Sequence, residues 1–243
     1  MIEANPRASR TVPFVAKATG VPLVKIAART MVGATLAELR EEGLLHPPAP
    51  GGYVAIKEAV LPFNRFPDAD RLLGPEMRST GEVMGIDRTF GLAFAKSQLA
   101  AGDALPRGGT VFLSVADRDK ATGLRAARTF IDAGFQIVAT SGTADHLEAN
   151  GVPVATRVAK VGEDHPGAVD AVQLLDSGKV DLVVNSPRGR GARADGAHIR
   201  RAAAVNGVPC VTTAAAGLAA AEGIADRANH ELRVRSLQEY HLG

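Results

Sequence analysis

One cysteine, Cys210, stands in 243 residues, so no disulfide can form within the chain. It lies in the apolar run Val208 to Val211, where a buried, inert thiol in a reducing cytoplasm is the simplest reading. No charge of one sign dominates: 28 basic residues face 26 acidic ones, a formal net charge of +2. That balance does not point to a general nucleic-acid or membrane-surface binder, and any basic site must be a local cluster. No apolar stretch approaches the ~20 residues that span a bilayer. The opening Met1-Ile2-Glu3-Ala4-Asn5 is not a secretory signal. The six histidines are scattered, and none stands at metal-ligand spacing from another His or Cys. Apolar residues make up 46% of the chain, enough to bury a sizeable core in one large or two small domains.

The chain has two halves of different grammar. The first, to about residue 106, is punctuated by proline. His46 to Gly52 reads as a loop. Val54 to Phe63 has strand character and ends at Pro62. Arg88 to Ala100 carries Phe90, Phe94 and Leu99 at helical spacing and closes at Ala101-Gly102. No βα repeat is visible in this half.

From residue 107 to 243, short apolar runs alternate with helical patterns. Strands are expected over Thr110–Val115, Phe135–Thr140, Pro153–Val158, Val180–Asn185 and Val208–Thr212. Helices are expected over Asp119–Ala133, onward from Thr140 through Leu147, and over Pro166–Leu175, Ala197–Val205 and Ala214–Glu222. Most stop near glycines at 134, 151, 178 and 207. Continuous apolar strands between amphipathic helices indicate an α/β fold, Rossmann-like, with a five-stranded parallel sheet covered on both faces. Ligands in such sheets sit outside the carboxyl ends of the strands, so the residues after each strand carry the functional information.

Those residues suit a phosphate. The first strand leads to Ser114 and Lys120, and the second to Thr140-Ser141-Gly142-Thr143 at a helix start. Amide N–H groups point outward at a helix N-terminus, and the dipole there favours an anion. An ordinary N-cap needs only one hydroxyl. The third strand leads to Lys160-Val161, and the fourth to Asn185-Ser186-Pro187-Arg188-Gly189, where an asparagine can read a base edge or hold a loop. The fifth ends in Thr212-Thr213. Arg188, Arg190 and Arg193 read as a solvated flexible loop. Carboxylates for acid–base chemistry are sparse at this edge. Glu163, Asp164 and His165 read as a polar loop capping the next helix.

Two segments resemble one family closely. Residues 2–15, IEANPRASRTVPFV, resemble the end of the second ATP-grasp unit of carbamoyl-phosphate synthase large subunits. Lys57 to Gly85, KEAVLPFNRFPDADRLLGPEMRSTGEVMG, resembles the same family almost word for word. The βα half is similar to that family's C-terminal regulatory domain, of methylglyoxal synthase-like fold. The resemblance divides the chain into a mostly helical ATP-grasp remnant and connector, 1–106, and a methylglyoxal synthase-like allosteric domain, 107–243.

The resemblance implies site residues by position. Glu3 and Asn5 fall where the family holds Mg²⁺ or Mn²⁺ against ATP, with Arg7 and Arg10 beside the phosphates. Glu58 and Leu61 match part of an ornithine-effector site. Ser114, Lys120, Thr140, Thr143, Lys160, Asn185 and Ser186 match the positions that hold a nucleotide, UMP as inhibitor or IMP as activator; Val161 and Asp195 would flank base and ribose. Relatives that bind UMP well tend to carry threonines after the asparagine, whereas here Ser186-Pro187-Arg188 follow; proline removes a backbone donor and arginine can supply a charge-assisted one.

The implied parent reaction makes carbamoyl phosphate from glutamine or ammonia, bicarbonate and two ATP, with a small glutaminase subunit, for arginine and pyrimidine synthesis in the cytoplasm. The remainder of the large subunit would be the other partner, and the regulatory domain would form homo-oligomers. Alone, this chain is expected to be a segment of a longer protein that makes no carbamoyl phosphate and holds neither ATP nor metal. Rivals on the same fold are a methylglyoxal synthase-type phosphate lyase, the cyclohydrolase half of a bifunctional purine enzyme, and a structural oligomerisation module without a ligand.

Overall fold

A computed structural model describes residues 7–48, 51–63, 65–66, 77–159, 169–186 and 190–242, with the backbone alone described at 190–195. Its centre is a five-stranded parallel sheet. β3 (Thr110–Val115), β4 (Gln136–Thr140), β5 (Thr156–Val158), β6 (Leu182–Ser186) and β7 (Cys210–Val211) lie in the order β5-β4-β3-β6-β7. Neighbouring β3 residues point to opposite faces, and both faces are covered. Val111 and Leu113 face one cluster and Phe112 the other, all fully buried. The same alternation splits Ile137 and Ala139 from Val138, and Leu182 and Val184 from Val183. Each such Val, Leu, Ile or Phe side chain, fully buried, contributes about 1.5–3 kcal/mol. This is why the strands read as unbroken apolar runs.

One face of the sheet is covered by α5 (Lys120–Asp132), α6 (Ser141–Ala149) and α9 (Ala214–Asn229), through Ala126, Phe130, Leu147 and Ile224 among others. The other is covered by α7 (Ala171–Asp176) and α8 (Arg190–Val205), through Leu174, Leu175, Ile199 and Ala203. Several bounds differ from the sequence expectation. α8 begins at Arg190, so Arg190 and Arg193 lie in a helix and not in the solvated loop expected for them; Arg188 lies outside the described residues. α9 runs on to Asn229, beyond the expected Glu222, and β7 keeps only two residues. Cys210 is partly and not fully buried.

The first half adds α1 (Thr11–Thr19), α2 (Leu23–Met31) and α3 (Leu36–Glu41), then β1 (Val54–Val60), β2 (Gly81–Asp87) and α4 (Phe90–Ala101). β1 and β2 form an antiparallel ribbon laid on α4, and α4 lies on α9. Phe94 and Ala95 of α4 share the hydrophobic cluster of the sheet. The helix crossing is close because both helices carry glycine there. A Cβ on Gly91 would stand 2.6 Å from the Glu222 carbonyl oxygen. The three N-terminal helices bury a separate small cluster around Val21, Ile26 and Leu39. The chain's last helix, α10 (Leu237–Leu242), returns to β2, where buried Tyr240 donates its hydroxyl to the Ile86 carbonyl at 3.0 Å. No single helix among the described residues is long and apolar enough to cross a membrane.

Candidate functional site

The strand order reverses direction at β3 and β6. From β3 the chain passes through α5 to β4 on one side; from β6 it passes through α8 to β7 on the other. The helices leave on opposite faces, so the carboxyl ends of β3 and β6 bound a crevice. Parallel register sets Ser114 beside Asn185 and Val115 beside Ser186 there.

Three of the residues expected at this edge, Ser114, Thr140 and Thr143, form a connected group. The Thr140 hydroxyl lies 3.5 Å from that of Ser114 and 3.2 Å from that of Thr143. Thr143 accepts the Val115 backbone N–H at 3.1 Å, which ties the start of α6 to the end of β3. Asn185, 1% exposed, and Ser186, 4% exposed, complete the far side. The Asn185 Nδ2 and Ser186 Oγ atoms are buried and have no hydrogen-bond partner among the described residues.

β4 runs into α6 with no loop. The N-cap residue Thr140 turns its hydroxyl to Ser114 and Thr143, and no side chain caps the helix. The N–H groups of Ser141, Gly142 and Thr143 have no acceptor within their own helix. Ser141 and Gly142 are exposed, and the space where Gly142 would carry a Cβ is open. The starts of α4, α7 and α9 are instead closed by Thr89, Asp170 and Thr213.

Lys120 opens α5 and forms an ion pair with Asp117 at 2.7 Å. Its hydrogen bond and charge hold the Asp117 carboxyl below the usual carboxylate range. Lys160 and Val161, and the Glu163-Asp164-His165 group, lie outside the described residues. Asp195 falls within α8.

Sequence reasoning missed Arg200. This α8 side chain is 1% exposed and donates from Nη1 to Asn185 Oδ1 at 3.0 Å. A usable signal was present: Gly196, Ile199, Arg200 and Ala203 fall on one helical stripe, and all four are buried.

Away from this edge, a cavity of about 290 Å³ brings Glu58 and Leu61 together with Gln98, Asp103, Thr212 and Thr213. It thus joins the ribbon and α4 to the exit of β7. Burial pushes the Glu58 carboxyl above its ordinary pKa and the charge of Asp103 adds to this, against a lowering hydrogen bond from the Ala59 backbone.

Arg7 donates to the Ala8 carbonyl and Arg10 to the Ser79 hydroxyl; neither bond reaches the sheet edge. Glu3 and Asn5 lie outside the described residues. Among the described residues no group of His, Cys, Asp and Glu could hold a metal ion.

Comparison with known proteins fixes the relationship. Residues 123–212 match the family described as MGS-like domain. The chain is 53% identical over 239 residues to the carbamoyl phosphate synthase large chain of Rubrobacter xylanophilus, covering 98% of this chain and 22% of that one. It corresponds to the C-terminal part of carbamoyl phosphate synthase large chains. Large chains of Gemmatimonas aurantiaca and Mycobacterium tuberculosis are 54% and 51% identical, with 99% of this chain covered in each case. Residues 1–39 match the Carbamoyl-phosphate synthase L chain, ATP binding domain. The chain therefore spans about a fifth of the length of these relatives. The MGS-like match takes in β4, α6 and β6, and so most of the connected polar group.

Proposed function

We propose that residues 107–243 act as an allosteric domain whose crevice takes the phosphate of a nucleoside monophosphate, UMP or IMP. The observation that supports this best is the open start of α6. It offers three amide donors and a helix dipole beside the Ser114, Thr140 and Asn185 polar groups. Ser114, Lys120, Thr140–Thr143, Lys160, Asn185 and Ser186 hold the phosphate, and Val161 and Asp195 flank base and ribose. Residues 1–106 are the ATP-grasp remnant and connector. In the longer protein, effector binding biases a conformational equilibrium felt by the ATP-using core. Couplings of this kind are about 1–3 kcal/mol. The whole protein makes carbamoyl phosphate with a glutaminase partner, using ATP and Mg²⁺ or Mn²⁺; this segment alone makes none.

Calorimetric titration of the chain with UMP and with IMP tests the reading. Heat from at least one nucleotide is expected, and Lys160→Ala should weaken it. In a full-length enzyme, the same substitution should abolish nucleotide inhibition and leave basal activity unchanged. Absence of heat and of thermal shift with both nucleotides would favour a structural module. Release of methylglyoxal from dihydroxyacetone phosphate would favour the lyase.

The cavity at Glu58 supports a second ligand. Two carboxylates, Glu58 and Asp103, share a hollow with the Thr212 and Thr213 hydroxyls, a composition suited to a small amine such as ornithine.

A further inference from the structure

We infer that Arg200 is a positioning residue of the crevice, which fixes Asn185 as a hydrogen-bond donor and so selects an acceptor oxygen on the ligand's phosphoryl group. This rests on the nucleotide reading above and adds a residue that the family resemblance does not assign.

Arg200 is among the largest fully buried side chains of the described structure. Burying a guanidinium is costly unless its N–H groups find acceptors, and Asn185 Oδ1 is one of them, at 3.0 Å. A guanidinium carries five donors and no acceptor, whereas an asparagine amide carries an acceptor on one side and two donors on the other. Only one amide orientation therefore satisfies the contact. Oδ1 must face Arg200, and Nδ2 must turn away. A flipped amide would set N–H groups against N–H groups.

The consequence falls on the crevice. Asn185 pairs in register with Ser114 at the β3–β6 reversal, and its Nδ2 is buried without a partner among the described residues. A buried amide donor in that state is unstable relative to one that meets an acceptor. A phosphoryl oxygen is such an acceptor, and the adjacent helix start favours its charge. The positive charge of Arg200 further polarises the amide. Without Arg200, both amide orientations become accessible, and the donor is present only part of the time.

The test is a double-mutant cycle on this chain, with UMP as probe and uridine and inorganic phosphate as separate arms, each variant checked by thermal melting. Arg200→Met and Asn185→Ala are each expected to weaken UMP binding about tenfold, the order carried by a hydrogen bond to a charged group. The double variant should bind no more weakly than either single variant, because Arg200 acts through Asn185. Arg200→Lys, which keeps a donor-only group, should restore affinity to within about threefold of wild type. A residue with a merely structural role would lower the melting temperature without this non-additivity or rescue.

Should Arg200→Met fail to fold, Asn185→Asp decides the matter. An aspartate keeps the contact with Arg200 as an ion pair but presents no donor, so it should fold and lose UMP. Wild-type affinity in folded Arg200→Met or in Asn185→Asp, or full additivity in the cycle, overturns the inference alone. So does a loss of uridine affinity with inorganic phosphate binding unchanged. Failure of the wild-type chain to bind any of the three probes overturns the nucleotide reading and this inference with it.

Discussion

Glu58 ties stability to pH at the cavity proposed for a small amine. Its folded-state pKa lies above the ordinary value of 4.5, mainly through burial. The fold therefore favours the protonated form. Its contribution to stability is present at low pH and is lost as pH rises past 4.5 and through the raised folded value. Glu58→Gln removes this dependence. Thermal melts should show the variant at least as stable as wild type at neutral pH, with the gap closing in acid. The same variant should bind ornithine more weakly, since a carboxylate for the amine is gone. A stability gap independent of pH would contradict the account. At this scale Ser114, Thr140 and Asn185 could be placed at one sheet edge from sequence, because each stands at the carboxyl end of a buried apolar strand. Arg200 was hidden because a charge inside an expected helix reads as solvated. Only its place on the buried stripe with Ile199 and Ala203 marks it otherwise.

Strands buried on both faces gave plain apolar runs, so the five-stranded sheet could be read from sequence. β2 could not. Its sequence GEVMGID has charges at Glu82 and Asp87 and a glycine at 85, and it is a strand because β1 pairs with it and α4 covers it. α10 is six residues long, too short for any periodicity to show. Close packing between elements was equally invisible. Gly91 reads in sequence as a helix defect, yet it lets α4 approach the Glu222 carbonyl of α9. Gly91→Ala should improve local helix propensity and still destabilise the protein by about 1–3 kcal/mol through overpacking. Urea unfolding measures this; a stabilised variant would show that the crossing is looser than described.

Across the whole molecule, the two halves are joined at both ends of the second. α4 inserts Phe94 and Ala95 into the hydrophobic cluster of the five-stranded sheet, and α10 returns the C-terminal segment to β2. At that return Lys96 pairs with Asp87 at 2.7 Å and also reaches the Arg233 carbonyl and the Tyr240 hydroxyl. Tyr240 stacks edge-on with Tyr53, and Arg235 lies over its ring. Tyr240→Ala should cost about 3–5 kcal/mol, the range for a buried aromatic, with one cooperative transition in denaturant. Separate melting of the two halves would contradict so tight a junction.

The most direct test of the central claim is a crystal of this chain soaked with UMP and, separately, with IMP. The account predicts a phosphate within hydrogen-bonding distance of the Ser141, Gly142 and Thr143 amides, with Asn185 Nδ2 donating to one of its oxygens. A nucleotide bound elsewhere with the start of α6 left open, or no bound nucleotide in either soak, would contradict it.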